Sequence, residues 1–308
     1  MSTTLLTRQR QQFILQRLAR DGQVVAKVLS EELQISEDTI RRDLRELARE
    51  GRLQRVHGGA LPASAAIGDM AVRRQVAPDA KQALARRAAA LVQPGQVVLL
   101  DGGTTTTALA RALPPDLHAT VVTHSPTIAV ELGERGDHPH IEVILLGGRL
   151  FKHSMVTVGA TTIEAVRHVR ADLYFMGVTG IHAEAGLSTG DFEEAAIKRA
   201  LHERAAETVV MASPEKLGAA SAYVIAPAAE IATLIVAADT PAANVAGLEA
   251  LGVEVLRAVP LPPCFSACPF GGAFPGARPG QGARGRGIFF AFSGGGSAID
   301  IPATSWPA

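Results

Sequence analysis

Arginine side chains recur along residues 36–51 in a pattern that suits contact with nucleic acid. Read at helical period, the apolar residues fall on one face and the basic residues mostly on the other: Ile40, Leu44 and Leu47 against Arg41, Arg42, Arg45 and Arg49. A guanidinium group can donate two parallel hydrogen bonds to a phosphate or to O6 and N7 of guanine. A solvated amphipathic helix gives the same pattern, so the flanking residues must decide between the two interpretations.

The N-terminus of this helix carries hydroxyl and carboxylate side chains. Ser36 is the expected N-cap, and together with Thr39 it places hydroxyls beside free N–H groups that can hold a phosphate. Glu37 and Asp38 could accept from cytosine, but their simpler role is to complement the helix dipole. Asp43 is expected to pair with a neighbouring arginine and to be structural.

Two further helices are predicted before the basic helix, over residues 7–20 and 25–33. Their expected buried residues are Phe13, Ile14, Leu18, Val28, Leu29 and Leu33. A three-residue turn, 34–36, then leads into the basic helix, with Gln34 standing near the place where a glycine is usual. Helix, short turn and basic helix is the plan of a helix-turn-helix.

A short hairpin is predicted directly after the basic helix. Residues 52–57 alternate apolar and basic side chains and end at the glycine pair 58–59, which is typical of a wing lying along the DNA backbone. Arg55 and His57 are its candidate contacts. The chain has no net charge, so any affinity for DNA must be local, and residues 1–62 hold eleven Lys and Arg against eight Asp and Glu.

From residue 97 onward, short apolar runs alternate with helical stretches. The runs are residues 97–101, 120–125, 142–146, 173–178, 208–212, 223–225 and 234–238. Near-continuous apolar strands separated by helices predict an α/β domain with a mostly parallel sheet, covered on both faces. We assign residues 1–62 to the DNA-binding domain, 63–78 to a linker and 79–256 to the α/β domain.

Ligands of parallel sheets bind at the carboxyl ends of the strands, so the residues that follow each strand are the candidates for a binding site. The first such end reads Asp101, Gly102, Gly103, Thr104 and Thr105. Its glycines let backbone N–H groups turn inward around an anion, and its hydroxyls add donors at a helix start. On local sequence alone, a phosphate or sugar site and an ordinary strand-to-helix turn are equally well supported.

Later strand ends add further candidates: Thr123, Ser125, Gly148, Arg149, Glu194, Lys198 and Lys216. Arg149 follows two glycines and is either a phosphate clamp or a surface arginine. Glu194 and Lys198 lie four residues apart and can pair without any ligand. His124 is interpreted as a satisfied loop histidine.

Both halves of the chain resemble the DeoR-type family of bacterial transcriptional regulators. The likeness lies in residues 29–33, 36–44 and 55–60, and then in residues 101–105, 146–149, 186–189, 194, 198 and 216. It implies a winged helix-turn-helix that binds double-stranded operator DNA, with Thr39, Arg41 and Arg42 in the recognition motif and Arg55 and His57 in the wing. It also implies an α/β domain similar in fold to ribose-5-phosphate isomerase, and a repressor of carbohydrate metabolism genes controlled by a phosphorylated sugar or related metabolite.

One position departs from the pattern of that family. The family commonly has Asp three residues before the lysine matched by Lys216, whereas this chain has Ser213 followed by Pro214. The pocket is therefore expected to favour a different polyol or phosphate pattern. The change also weakens the alternative that the chain is a sugar-phosphate isomerase with an accessory DNA-binding domain, because isomerisation needs acidic groups to move protons.

Several expectations concern the whole chain. Neither a catalytic residue nor a cofactor is predicted, and Cys264 and Cys268 lack the nearby partners of a zinc site. Residues 257–308 hold ten of the 30 glycines and eight of the 18 prolines, a composition typical of disorder. No signal peptide or membrane span is read, so a cytoplasmic protein is expected. A symmetric operator would require a homodimer or homotetramer, formed mainly through the α/β domain.

Overall fold

The computed structural model describes residues 6–64, 66, 68, 70–134 and 138–259, all of which lie in one compact unit. The predicted tail from residue 260 onward, with Cys264 and Cys268, lies outside the described residues. In the part of the chain that is described, no helix is long and apolar enough to cross a membrane.

The N-terminal domain is a winged helix-turn-helix, as predicted. Its elements are α1 (Thr7–Asp21), β1 (Val24–Val25), α2 (Ala26–Leu33), α3 (Glu37–Arg49), β2 (Leu53–Val56) and β3 (Gly59–Pro62). The three strands form an antiparallel sheet in the order β1-β3-β2, and β2 with β3 is the wing hairpin. Gly59 is required where β3 pairs with β1, because a Cβ there would overlap the carbonyl oxygen of Val24.

The three helices of this domain share one apolar core, in which Ile14, Leu18, Leu29, Ile40, Leu44 and Leu47 are buried. The prediction for Val28 was wrong, because its side chain is 51% exposed. The second helix begins at Ala26 and turns Ala26 and Leu29 toward the core, which leaves Val28 on its outer face. Gln34 ends this helix in the left-handed conformation, with φ 55°, where a glycine is usual.

Asp43 is structural, as expected, and its partner lies 33 residues away on α1. Arg10 donates through Nη2 to Oδ1 of Asp43 at 2.9 Å and through Nε to Oδ2. Both side chains are buried, and the hydrogen bond to Asp43 raises the pKa of Arg10 above its ordinary value. This ion pair fixes the basic helix against the first helix.

The second domain is an α/β domain with a parallel sheet, as predicted. Its elements are α4 (Met70–Gln75), α5 (Pro78–Ala89), β4 (Val97–Leu100), α6 (Thr104–Ala112), β5 (Ala119–Thr123), α7 (Pro126–Gly133), β6 (Ile141–Leu145), β7 (Arg149–Phe151), β8 (Val156–Val158), α8 (Ala160–Arg167), β9 (Ala171–Met176), β10 (Gly180–His182), β11 (Gly186–Thr189), α9 (Phe192–His202), β12 (Ala205–Ala212), β13 (Tyr223–Ala226), β14 (Thr233–Ala237), α10 (Ala246–Glu249) and β15 (Glu254–Ala258). Seven strands form the parallel sheet in the order β15-β14-β12-β9-β4-β5-β6. Buried clusters cover both of its faces.

Two strands differ from the prediction. The run 223–225 does not join the parallel sheet, because β13 pairs antiparallel with β11 in a separate sheet of order β10-β11-β13. The last parallel strand, β15, was missed. It pairs with β14 from Glu254 to Ala258, and so extends two residues past the boundary placed at 256.

The stretch 63–78 also differs from a plain linker. It contains the helix α4, and its first residues attach to the second domain, since Ala63 bridges to Ala220 and the Ser64 hydroxyl donates to the carbonyl oxygen of Thr179. Ser64 is buried. The two domains are therefore joined by hydrogen bonds as well as by the chain.

Candidate DNA-binding surface and ligand pocket

The outer side of α3 presents the basic face expected from the sequence, which we define as Arg41, Arg42, Arg45 and Arg49, all exposed. Among the described residues, the side chains of Arg42, Arg45 and Arg49 make no hydrogen bond or salt bridge. Arg41 donates to Glu37 at 2.8 Å, one helical turn earlier. The basic face therefore offers cationic groups to solvent, three of them free to take a phosphate or a base edge.

The N-terminus of α3 is capped from within. The hydroxyl of Ser36 accepts from the backbone N–H of Thr39 at 3.3 Å and lies 2.9 Å from the hydroxyl of Thr39. Glu37 and Asp38 occupy the first turn, where they complement the helix dipole. Arg55 on β2 and His57 in the wing turn are exposed. All seven residues proposed for DNA contact thus lie on α3, at its N-terminus or on the wing.

A buried charge network lies at the carboxyl end of β4. Asp101 is fully buried and accepts from Lys198, from the backbone N–H of Gly102 at 2.8 Å and from that of Gly177 at 2.7 Å. Lys198 also lies 3.3 Å from Glu194. The network therefore joins the end of β4 to one face of α9.

His124 belongs to the same network, and it is a satisfied loop histidine as interpreted from the sequence. Its Nε2 lies 2.7 Å from Oδ1 of Asp101, and its Nδ1 lies 3.0 Å from the carbonyl oxygen of Thr157. A carbonyl oxygen and an ionised carboxylate are both acceptors, so the His124 ring lies between two acceptor oxygens. His124 is fully buried, so it positions Asp101 and does not face a ligand.

The charges in this network set one another's protonation. Burial alone would raise the pKa of Asp101, but Lys198 and the hydrogen bond from His124 outweigh it and hold the pKa well below its ordinary value. Burial likewise opposes the charge of Lys198, yet Asp101 and Glu194 raise its pKa. Both groups are therefore ionised at neutral pH.

Beside this network lies a pocket, which we call the ligand pocket. Its wall includes Gly102, Gly103, Thr104, Thr105, Lys198 and Lys216. Gly103 is the N-cap of α6 with φ 131°, a backbone conformation that favours glycine. The first hydrogen bond of the helix runs from Thr107 to Gly103, so the N–H groups of residues 104–106 precede it and are available to a ligand. The hydroxyl of Thr105 is buried and has no hydrogen-bond partner among the described residues.

Lys216 brings an unpaired charge to this pocket. The residue is 7% exposed, and among the described residues its ammonium makes no hydrogen bond or salt bridge. Burial lowers its pKa to about 8. The charge of Glu215 opposes this shift, and the charges of Lys81, Arg73 and Lys198 add to it. An almost wholly buried ammonium without a partner is a strong indication of an anionic ligand.

The charged side chains of the ligand pocket are mostly cationic: Arg73, Lys81, Lys198 and Lys216 against Glu194 and Glu215. Lys81 is buried, which lowers its pKa, and it donates to the backbone carbonyl of Arg73. The part of the chain that the structure describes holds no group of three His, Cys, Asp or Glu residues suited to a metal. The pocket wall therefore offers lysines, backbone N–H groups and hydroxyls, which are groups that suit an anion.

Comparison with known protein families agrees with both halves of this description. Residues 10–65 match the DeoR-like helix-turn-helix domain, and residues 76–238 match the DeoR C terminal sensor domain. The chain belongs to the DeoR family of transcriptional regulators. The predicted resemblance is thus confirmed, and with it the choice of a DNA-binding regulator over an isomerase.

Curated members of the DeoR family align over most of their length. The HTH-type transcriptional regulator GlpR of Haloferax volcanii is 36% identical over 241 residues, which is 78% of this chain and 92% of that protein. The glycerol-3-phosphate regulon repressor of Escherichia coli K12 is 31% identical over 211 residues, covering 68% of this chain and 82% of that protein.

Among solved structures, this DeoR-family chain is similar over part of its length to ribose 5-phosphate isomerase A from Methanocaldococcus jannaschii. The likeness covers 45% of this chain and 54% of the enzyme, at 19% identity and a TM-score of 0.34. A similarity this distant concerns the fold alone and transfers no activity.

Five residues proposed from the sequence do not line the ligand pocket of this DeoR-family sensor domain: Asp101, Thr123, Ser125, Gly148 and Arg149. Thr123 is buried and donates to the carbonyl oxygen of Leu100, and Ser125 donates to that of Met155 at 3.2 Å. Arg149 enters the hairpin of β7 and β8, and its exposed side chain pairs with Glu193. These groups are structural in the arrangement described here.

Sequence reasoning also missed residues that the fold brings to the pocket. Arg73 and Lys81 come from α4 and α5, and Arg73 lay inside the stretch interpreted as a linker. The contact of His124 with Asp101, which lies behind the pocket wall, could have been found, because the residue after β5 lies near the residue after the adjacent strand β4. Glu215 had no signal of its own beyond its position next to Lys216.

The segment 216–221 connects the ligand pocket of the sensor domain to the wing of the DNA-binding domain. Its first residue is Lys216, and further along Ala220 donates its N–H to the carbonyl oxygen of Pro62 at the end of β3, at 3.3 Å. Thr179, which lines the pocket, accepts from Ser64 and lies 2.7 Å from the hydroxyl of Ser221. Only a few residues and one hydrogen bond therefore separate Lys216 from the end of the wing strand β3.

Proposed function

We propose that this DeoR-family regulator binds operator DNA through α3 and its wing, and that a phosphorylated sugar or related polyol phosphate in the ligand pocket controls that binding. The observation that carries the proposal is the buried ammonium of Lys216, which has no partner among the described residues. It lines the same pocket as the N-terminus of α6, where N–H groups and the unpaired Thr105 hydroxyl are available. Together these groups suit a phosphate.

Each part of the proposed ligand site has its own task. The phosphate would be held by Gly102, Gly103, Thr104, Thr105 and Lys216. Asp101 is fully buried, so its proposed role is to position Lys198, while Glu194 and Lys198 line the pocket and face the rest of the ligand. The name of a relative, the glycerol-3-phosphate regulon repressor, supports a phosphate-bearing effector and a repressor role.

The proposed DNA contacts divide into two classes. Ser36 and Thr39 at the helix N-terminus, with Arg55 and His57 on the wing, are suited to the phosphate backbone. Arg41, Arg42 and Arg45 on the basic face are suited to base edges or to phosphates. Because the partner is the chromosome, we also propose that the protein works in the cytoplasm.

We further propose a homodimer or homotetramer, because one winged helix reads only about half of a symmetric operator. The described surface supports self-association through the sensor domain. Strand β6 is one of the two edge strands of the parallel sheet. It exposes Ile144 and Leu145, and α7, which packs against it, exposes Val130. Light scattering that shows a monomer at operator-saturating concentrations would contradict this part of the proposal.

The DNA-binding part is tested with a duplex selected by the wild-type protein from a random pool, using fluorescence anisotropy at fixed salt. We expect the double variant Arg42→Ala, Arg45→Ala to weaken binding strongly while leaving the melting temperature unchanged. The matched control is Arg170→Ala, which removes an exposed arginine of the sensor domain and should leave affinity unchanged. Equal affinity of the double variant and wild type would refute the proposed DNA surface.

The control by ligand is tested on the same complex. Glycerol 3-phosphate, fructose 6-phosphate and glucose 6-phosphate are added in turn, and both the melting temperature of the free protein and its DNA affinity are measured. A ligand of the folded protein raises the melting temperature, and a controlling ligand must bind free and DNA-bound protein unequally. A panel of phosphorylated sugars and polyols without effect on either quantity would refute the proposed effector class.

A further inference from the structure

A carboxylate stands next to the unpaired lysine in the ligand pocket. The hydroxyl of Ser213 donates to Oε1 of Glu215 at 2.6 Å, while Oε2 has no hydrogen-bond or salt-bridge partner among the described residues. Ser213 is fully buried and Glu215 is half-buried in the pocket wall. The network of Asp101, Lys198 and Glu194 does not include this carboxylate.

The backbone holds Glu215 in a defined place. Residues Pro214–Lys216 form one turn of 3-10 helix, begun by Pro214 and closed by the hydrogen bond from Lys216 N–H to the carbonyl oxygen of Ser213 at 3.0 Å. Proline restricts φ at the start of that turn. With the backbone fixed and Oε1 bound by Ser213, Oε2 is the part of the side chain left to meet a ligand.

We propose that Glu215, positioned by Ser213, selects ligands that carry a hydroxyl group next to the phosphate and disfavours bare anions. The inference rests on the proposed function of the pocket as a phosphate site. A carboxylate repels an anion, so its presence beside Lys216 weakens the binding of an inorganic anion. It favours binding only when it accepts a hydrogen bond from a hydroxyl, which is the chemistry of a polyol phosphate.

The proposed role of Glu215 also accounts for the serine at residue 213. Where the resembling family commonly carries an Asp, this chain has a serine that cannot itself supply a carboxylate. The Ser213 hydroxyl instead holds a carboxylate that lies two residues further along the chain. The pocket therefore keeps an acidic acceptor, but in a different place, and this shifts which ligand hydroxyl it can reach.

The test compares a bare anion with polyol phosphates in wild type, Glu215→Gln and Ser213→Ala. The probes are inorganic sulfate, glycerol 3-phosphate, fructose 6-phosphate and glucose 6-phosphate, titrated calorimetrically at pH 6.0 so that Lys216 stays protonated. In Glu215→Gln we expect the polyol phosphate that binds wild type best to lose about tenfold in affinity, since a hydrogen bond to a charged group is lost. The affinity of Glu215→Gln for sulfate should equal or exceed that of wild type. Ser213→Ala should also lose affinity for the polyol phosphate, but by a smaller factor.

Glu203→Gln is the matched control, because Glu203 is exposed and its side chain has no partner among the described residues. Unchanged melting temperatures show that the variants fold. If Glu215→Gln leaves the ratio of sulfate to polyol phosphate affinity at its wild-type value, the inference is refuted while the pocket remains a phosphate site. If wild type binds none of the four probes, the proposed function itself fails.

Discussion

Replacing Lys216 by methionine should make the ligand-free protein more stable, although it removes a residue of the ligand pocket. Lys216 is 7% exposed, and burial lowers its pKa from the ordinary 10.5 to about 8. A difference of that size in the pKa of one group between the folded and unfolded chain corresponds to about 3 kcal/mol. Methionine has a side chain of similar length and carries no charge, so it removes this cost.

The pH dependence of this stability difference follows from proton binding to Lys216. Between pH 8 and 10.5 the unfolded chain holds a proton on Lys216 that the folded chain has lost, so stability rises with pH across that window. Below pH 8 the folded chain bears the full cost of a buried ammonium. The advantage of Lys216→Met is therefore largest at neutral pH, up to about 3 kcal/mol, and shrinks as the pH approaches 10.5.

Urea unfolding followed by circular dichroism measures the effect, at pH 7.0 and at pH 9.5, with and without glycerol 3-phosphate. We expect Lys216→Met to be the more stable protein at pH 7.0 without ligand, and to gain nothing from the ligand. Lys27→Met serves as the control, because Lys27 is exposed and should change neither quantity. A variant that is less stable than wild type at pH 7.0 would refute the reasoning, since it would mean that the ammonium is satisfied in the empty pocket.

Two further predictions concern the DNA-binding domain. Asp43→Asn should destabilise that domain by about 3–5 kcal/mol in urea unfolding, because it removes the buried carboxylate charge that pairs with Arg10. The control is Asp38→Asn, because Asp38 is exposed, and equal effects of the two substitutions would contradict the role of the ion pair. Gln34→Gly should raise the free energy of unfolding by up to about 1 kcal/mol, because φ at Gln34 is 55° and glycine adopts that conformation without the clash of a Cβ. A melting temperature below that of wild type would show that the Gln34 side chain contributes more stability than the strained backbone costs.

The winged helix-turn-helix could be predicted from the sequence because its signals are local. The cap at Ser36, the apolar spacing of α3 and the glycine pair before β3 each lie within a few residues of the element that they define. Val28 is apolar but lies on the outer face of the second helix, because tertiary packing turns Ala26 and Leu29 toward the core.

The ligand pocket could be predicted only in part, because strand order and hairpin direction depend on distant residues. The end of β4 was found from its glycines and threonines, and it does line the pocket. Arg149 also follows a glycine pair, but its strand turns into an antiparallel hairpin that takes the side chain to Glu193. No spacing in the sequence distinguishes these two outcomes. Lys81 reached the pocket because α5 packs against α6, a tertiary contact that no local pattern records.

The buried charge of Lys216 also bears on how a ligand can control DNA binding. A ligand can shift an equilibrium between two conformations only by the difference in its affinity for them, and couplings between sites in proteins are typically about 1–3 kcal/mol. A ligand anion that pairs with the Lys216 ammonium offsets its burial cost of about 3 kcal/mol, which is as large as such a coupling free energy. Lys216 and Ala220 lie on one short segment, and Ala220 is hydrogen-bonded to Pro62 of the wing strand. The free energy gained when a ligand pairs with Lys216 therefore arises close to the DNA-binding domain. The coupling must be reciprocal, so operator DNA should change the affinity for the ligand by the same factor by which the ligand changes the affinity for DNA.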